Sequence, residues 1–317
     1  MRLPYRVEPG QDVSVTVPAT SANLGPGYDA LGLALNLYDV LRVSTSAEGH
    51  TTVVVQGEGQ NDLPRDSTHL CVEVMSTFFE TIGFATPALR LTAENRIPHG
   101  RGLGSSAAAV VSAAVAANAL LPESARLSNE ALLQFCAGVE GHPDNVAPAI
   151  LGSLAISWPH QASFAAARVS IHPDICVVVA IPPGQLSTAS ARGLLPDVVP
   201  HGAAAANAGR AALLVHALVT DPGLLVPATE DFLHQSYRAE VMPDSSALVK
   251  RLRSAGFAAV ISGAGPTVAV ILRDSLEANR VEAEIHAGIS DGVPPEFWRV
   301  LRLKVDLEGA RVEVHRR

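Results

Sequence analysis

Lysine is nearly missing from this chain of 317 residues. Of the 23 basic side chains only Lys250 and Lys304 are lysines, and the rest are arginines. Neither lysine ends a glycine-rich run, which excludes a Walker-type Gly-Lys-Ser/Thr phosphate loop. Neither sits in a polar cluster suited to Schiff-base chemistry. Positive charge is also in deficit overall: the net charge is −8, which speaks against a nucleic-acid partner. Anion recognition therefore falls to arginines, backbone amides or a metal. Cysteine is scarce as well. Cys71, Cys136 and Cys176 are isolated in apolar runs and read as reduced, buried thiols. No long hydrophobic run exists. The longest low-polarity stretch, 107–121, is mostly alanine and contains Ser112 and Asn118, too short and too weakly apolar to span a bilayer. The first eleven residues carry Arg2, Arg6 and Glu8 without an apolar stretch, so no signal peptide and no membrane partner are expected. The expected location is the cytoplasm.

What the chain does contain is enough apolar material for a large core: 48% hydrophobic against 17% charged residues. Alternation at 12–18, with Val13, Val15 and Val17 on one face, predicts a half-buried strand. Residues 41–46 and 51–56 read as a strand pair joined by a turn, and 88–93 as another alternating strand. Helical spacing is found at 67–82, 105–121 and 129–139, the last with Ser128 as cap. Apolar strands are expected at 153–158 and 176–181, with a soft domain boundary between them near 160. Helices follow at 203–220, 224–235 and 244–254. Strands at 257–261 and 267–272, a further helix, and a late strand pair at 300–305 and 311–314 complete the chain. Strands and helices mix without regular alternation, so the fold class is α+β, with domains at 1–160 and 161–317.

The strongest chemical signal is Pro98-His-Gly-Arg-Gly-Leu-Gly-Ser-Ser-Ala-Ala-Ala109, a glycine-rich loop running straight into a helix. Glycine permits positive φ and close backbone approach. Free N–H groups and the dipole at a helix start make an anion site that needs no lysine. A serine hydroxyl beside it can meet a phosphate oxygen or Mg2+.

This string resembles the ATP-binding motif of the GHMP kinases. Two further segments resemble that family's other signatures: Pro18-Ala-Thr-Ser-Ala-Asn-Leu-Gly-Pro-Gly-Tyr-Asp-Ala-Leu-Gly32 and Ser262-Gly-Ala-Gly-Pro-Thr267. The resemblance implies a ribosomal-protein-S5-like N-terminal domain, a ferredoxin-like C-terminal domain and a site between them. It places ATP on Pro98, Gly100, Arg101, Gly102, Leu103, Gly104, Ser105, Ser106, Ala107 and Ala108. Mg2+ would be held by Glu140 and a serine, Ser106 in preference to Ser105. Residues near 56–70 would face the adenine, and His69 among them is either a nucleotide contact or a plain helix-cap or core histidine.

Segments between the motifs narrow the resemblance. Members acting on mevalonate or galactose carry a basic residue early in the first motif. Here none occurs between Arg6 and Arg42. Glu140-Gly-His-Pro-Asp-Asn-Val-Ala-Pro148, Ser187-Thr-Ala-Ser-Ala-Arg192 and Gln235-Ser-Tyr-Arg-Ala-Glu-Val-Met-Pro243 resemble the branch that phosphorylates homoserine for threonine biosynthesis. In the family the metal-binding glutamate and this histidine are usually further apart, although short forms occur. The zwitterionic substrate would meet Arg192 and Arg238 through its carboxylate and Asp29, with Asn23, through its ammonium. Thr188, His142, Asn145, Gly263 and Gly265 would complete its site. His142, Asp144 and Asn145 are the candidate catalytic residues, with Asp144 ranked as a structural partner of Asn145 ahead of a general base. The alternatives are another small-molecule kinase of the family, of mevalonate type, and a non-catalytic ligand sensor. Oligomeric state is left open, with a homodimer as the candidate assembly.

Overall fold

The computed structural model describes residues 5–46, 49–289 and 298–315. Two large sheets organise them, besides a short parallel pair of Tyr5–Arg6 with Phe84–Ala85. The first has seven strands, ordered Arg311–Val314, Asp12–Asn23, Gly27–Ser46, Ala88–Asn95, Thr52–Gly57, with Leu154–His160 and Ser163–Val169 attached off this path. The expected alternation at 12–18 is present, and Val13, Val15 and Val17 are buried. The 20-residue strand Gly27–Ser46 is long enough to serve two neighbours along one edge. Its distal part pairs with Ala88–Asn95 and Leu31–Leu33 pairs with Leu154–Ile156.

Ser105–Ala119 lies against this sheet. From Val110 to Ala119 every residue is buried. A helix so enclosed has no polar face, which explains its run of alanine and valine.

The second sheet is four-stranded and antiparallel, in the order Ala258–Ile261, Val268–Leu272, Cys176–Ile181, Arg299–Lys304. Val177, Val179 and Ile181 face the main core, whereas Val178 and Ala180 face a second core with Leu248, Leu252, Val281 and Ile285. Burial on both faces is why this strand reads as unbroken apolar sequence.

Three expectations are corrected. The 41–46 and 51–56 segments are not partners: Ala88–Asn95 lies between them and pairs in parallel with Thr52–Gly57. A parallel pair needs a crossover, which helix Leu70–Thr81 supplies. The two late strands are not partners either. Arg299–Lys304 joins the second sheet, and Arg311–Val314 returns to pair with Asp12–Asn23. Helix 224–235 shrinks to a 3-10 turn and Leu225–Ala228. Asp231 then accepts hydrogen bonds from the amides of Leu233, His234 and Gln235 and holds a capped turn there. The stretch read as a boundary contains strand Ser163–Val169. Thus the first sheet draws two strands from beyond residue 160. Helix His201–Val219 is long and apolar enough by composition to cross a membrane, yet it buries Leu214, Ala217 and Leu218 in the core.

Candidate active site

The glycine-rich loop is pressed between the signature segments from both ends of the chain. Gly102 has φ +74°, and a Cβ there would fall 2.1 Å from the Ser262 carbonyl oxygen. Gly104, at φ +70°, would place one 2.0 Å from the Thr20 hydroxyl. Neither position accepts a side chain. Ser262 ties the assembly together: its Oγ donates to the Gly102 carbonyl and accepts from the Ser21 hydroxyl. Helix Ser105–Ala119 starts directly after Gly104, which has no side chain to cap it. The first amides of the helix therefore open onto a cavity of about 140 Å3 lined by Ser105, Ser106 and Ala107. Gly100, Arg101, Gly102 and Gly104 line it too, whereas Pro98, Leu103 and Ala108 lie buried. Arg101 does not extend a free charge into it. Its guanidinium donates to the carbonyls of His99, Pro182 and Pro183 and fastens the loop to the second half of the chain.

Across from the helix start stands Glu140, the last residue of Asn129–Glu140. Ser106 Oγ donates to Glu140 Oε1 at 2.6 Å. Gly141, at φ +82°, turns the chain so tightly that the short Glu-Gly-His spacing still brings His142 Nε2 within 3.9 Å of Glu140 Oε2. His142 Nδ1 meets Asp144 Oδ1 at 2.7 Å, and that contact favours the charged imidazole, raising its pKa. Asn145 accepts from Thr20 Oγ1 at 2.8 Å, so it is fixed by the first signature segment. Among the described residues no group of three or more His, Cys, Asp or Glu forms a metal cage. The Glu140–Ser106 pair is a small set of hard oxygen donors, which fits Mg2+, an ion that takes few protein ligands when phosphate supplies others.

The far end of the cavity is built from Asn23, Tyr28, Asp29, Thr188, Arg192, Arg238 and Gly263. Asn23 and Asp29 have φ of 69° and 55°. Asn23 holds this strained turn by donating to the Gly263 carbonyl and accepting from the Asp29 amide. Arg192 grips Asp29 with two hydrogen bonds, 2.7 and 2.9 Å, and donates to the Tyr28 hydroxyl at 3.0 Å. Arg238 is only 2% exposed. Tyr28 lies beneath both guanidinium groups, 5.7 Å from Arg192 and 5.5 Å from Arg238. Sequence reasoning missed Tyr28, although aromatics are rare here and this one stands inside a polar signature. Of the substrate-site candidates, Gly265 falls outside the lining: a Cβ there would meet Met242 and Ile261.

A second cavity of about 320 Å3 shares Ser105 and Ser106 with the first. Its walls are mainly apolar, including Val40, Leu41, Leu63, Pro64 and Ala109. His69 caps helix Leu70–Thr81 by accepting from the Cys71 amide through Nδ1, which leaves Nε2 buried without a partner. Asp39 accepts from the amides of Arg96 and Ile97, and burial pushes its pKa up to about 6. Ionising Asp39 therefore opposes folding. The penalty is absent below pH ~4, grows with pH and is complete above the folded-state value. Asp39→Asn keeps the acceptor oxygen and removes the charge. It is expected to stabilise the protein by about 1–3 kcal/mol at pH 8 and by little at pH 4. Urea unfolding at the two pH values measures this, and equal effects at both would contradict it.

Family comparison agrees with this geometry. The model for the GHMP kinases N terminal domain matches residues 69–153, and that for the GHMP kinases C terminal domain matches 211–290. The chain belongs to the GHMP kinase family. Within that family it is similar to the homoserine kinase of Streptomyces coelicolor, 51% identical over 95% of this chain and 94% of that one. The homoserine kinase of Leifsonia xyli is 48% identical, over 96% and 92% of the two chains. Among solved structures, homoserine kinase from Cytophaga hutchinsonii superposes with a TM-score of 0.84 at 24% identity, covering 95% of this chain and 97% of that one. A putative homoserine kinase from Listeria monocytogenes gives 0.74 at 29% identity, covering 96% and 99%.

Proposed function

We propose that this chain is a cytoplasmic, ATP-dependent homoserine kinase, which transfers the γ-phosphoryl group to the side-chain hydroxyl of L-homoserine in threonine biosynthesis. One observation carries the reading most. A single cavity joins an uncapped helix start with its Ser106–Glu140 pair to a carboxylate and two arginines.

The triphosphate lies along Gly100–Ala107, on backbone amides and serine hydroxyls. The apolar second cavity takes the adenine, with His69 Nε2–H as a donor towards it. Glu140 and Ser106 would hold Mg2+, whose charge would offset that of the phosphates. Homoserine enters between Arg192 and Asp29. Its ammonium replaces Arg192 on Asp29, and its carboxylate receives Arg192 and Arg238. Asn145, Thr188 and His142 line the space left for the hydroxyl. Positioning and charge stabilisation do most of the work. The hydroxyl proton passes to the phosphate itself, because Asp144 is already engaged by His142.

The direct test is ADP release with L-homoserine, with L-threonine and mevalonate as controls. Turnover of mevalonate without turnover of homoserine would overturn the reading. Asp144→Asn should keep much of the activity. A loss of about 10³-fold or more in kcat with intact binding would make Asp144 the base.

A further inference from the structure

His234 is fully buried outside the lining of the cavity, and no step above uses it. Its ring nitrogens have distinct partners. Nε2 lies 2.8 Å from the Gly25 carbonyl oxygen, and Nδ1 lies 3.2 Å from Arg238 Nη1. A carbonyl oxygen only accepts, so Nε2 carries the proton. A guanidinium only donates, so Nδ1 presents its lone pair. The two contacts together specify one neutral tautomer. Burial acts in the same direction, holding the imidazole below its ordinary pKa although Asp231 Oδ1 lies 3.6 Å from Nε2.

From this geometry we infer that His234 is a positioning residue for carboxylate recognition, which it serves by fixing the plane of the Arg238 guanidinium. Arg238 Nε donates to the Ala191 carbonyl and Nη1 to His234. Two fixed points orient a planar fork and leave Nη2 uncommitted among the described residues. The anchor behind His234 is itself rigid. Gly25 has φ +88°, and a Cβ there would fall 2.5 Å from the Thr229 carbonyl oxygen. Asn207 adds a parallel tie, donating to the Pro26 carbonyl and accepting from the Phe232 amide. The first signature segment is thereby coupled through one imidazole to a substrate-binding arginine from the second half of the chain. A fork set before the ligand arrives loses less freedom on binding.

The inference rests on the homoserine reading, and the experiment separates the two. His234→Asn retains an acceptor near the Nδ1 position, His234→Gln retains only a donor able to reach Gly25, and His234→Leu retains neither. His234→Gln and His234→Leu should raise the homoserine KM about tenfold or more and leave the ATP KM within about twofold. His234→Asn should return the homoserine KM to within about threefold of wild type. With L-homoserinamide, which lacks the carboxylate, His234→Gln should cost little. The inference is overturned if Asn rescues no better than Gln, or if both KM values rise together. Nitrogen-15 NMR of the wild-type ring tests it without any variant: a protonated Nδ1 near neutral pH overturns it. Failure of the wild type to turn over homoserine would instead defeat the proposed reaction.

Discussion

Glu140→Ala should lower kcat by about 10³-fold while leaving the folded protein as stable as before, or slightly more so. The two halves of that expectation have one origin. Glu140 is the final residue of its helix, where the dipole disfavours a negative charge by about 0.3–1 kcal/mol. Nothing in folding calls for a carboxylate there. Its position makes sense towards the cavity, where Oε1 takes the Ser106 hydroxyl beside the uncapped start of helix Ser105–Ala119. Phosphoryl transfer needs the charge on the phosphate oxygens neutralised by groups already in place, and loss of the metal-holding carboxylate removes that. Ser106→Ala removes the smaller ligand and should cost roughly 10–100-fold. Steady-state kinetics over a Mg2+ series, paired with thermal unfolding, reads both quantities. Activity of Glu140→Ala within tenfold of wild type at ordinary Mg2+ would remove Glu140 from the machinery. A large fall in melting temperature would give it a structural role.

Much of this site could be read from sequence because its elements are local. A glycine loop feeding a helix, a serine cap before Asn129 and alternation at Val13, Val15 and Val17 are all set by neighbours in the chain. The parts that could not be read are pairings between distant segments. Arg311–Val314 carries no mark of its partner, since an alternating strand fits any free edge, and the edge it takes lies about 300 residues earlier. Residues 224–235 have helical composition, but the Asp231 side chain competes for the amides that a helix would use. Arg101 looked like a phosphate ligand because it stands in the loop. It serves as a strut because three carbonyls converge on it from segments more than eighty residues apart or from its own loop. Asp29 and Arg192 were assigned to opposite charges of one ligand. In the folded chain they pair with one another, which no inspection of either segment alone reveals.

Arg238 differs from Arg192 in what holds it, and Arg238→Leu exploits the difference. Arg192 is about a third exposed and ion-paired with Asp29. Arg238 is buried, and its partners are a carbonyl, a neutral imidazole and the face of Tyr28, with no ion pair among the described residues. Burying a cation without an anion is costly, and here burial pulls down the pKa of the group. A substrate carboxylate would complete the site, and truncating one partner of a buried charged pair costs about 2–5 kcal/mol. Arg238→Leu should therefore raise the homoserine KM by about 10²–10³-fold and leave the ATP KM nearly unchanged. The same substitution removes an uncompensated charge from the ligand-free protein and fills most of its volume with hydrocarbon. Unfolding measurements without homoserine should find the variant no less stable than wild type, whereas stabilisation by added homoserine should be lost. Equal rises in both KM values would defeat the carboxylate assignment. A strongly destabilised variant would show instead that Arg238 is a structural tie between Ala191 and His234, with recognition resting on Arg192.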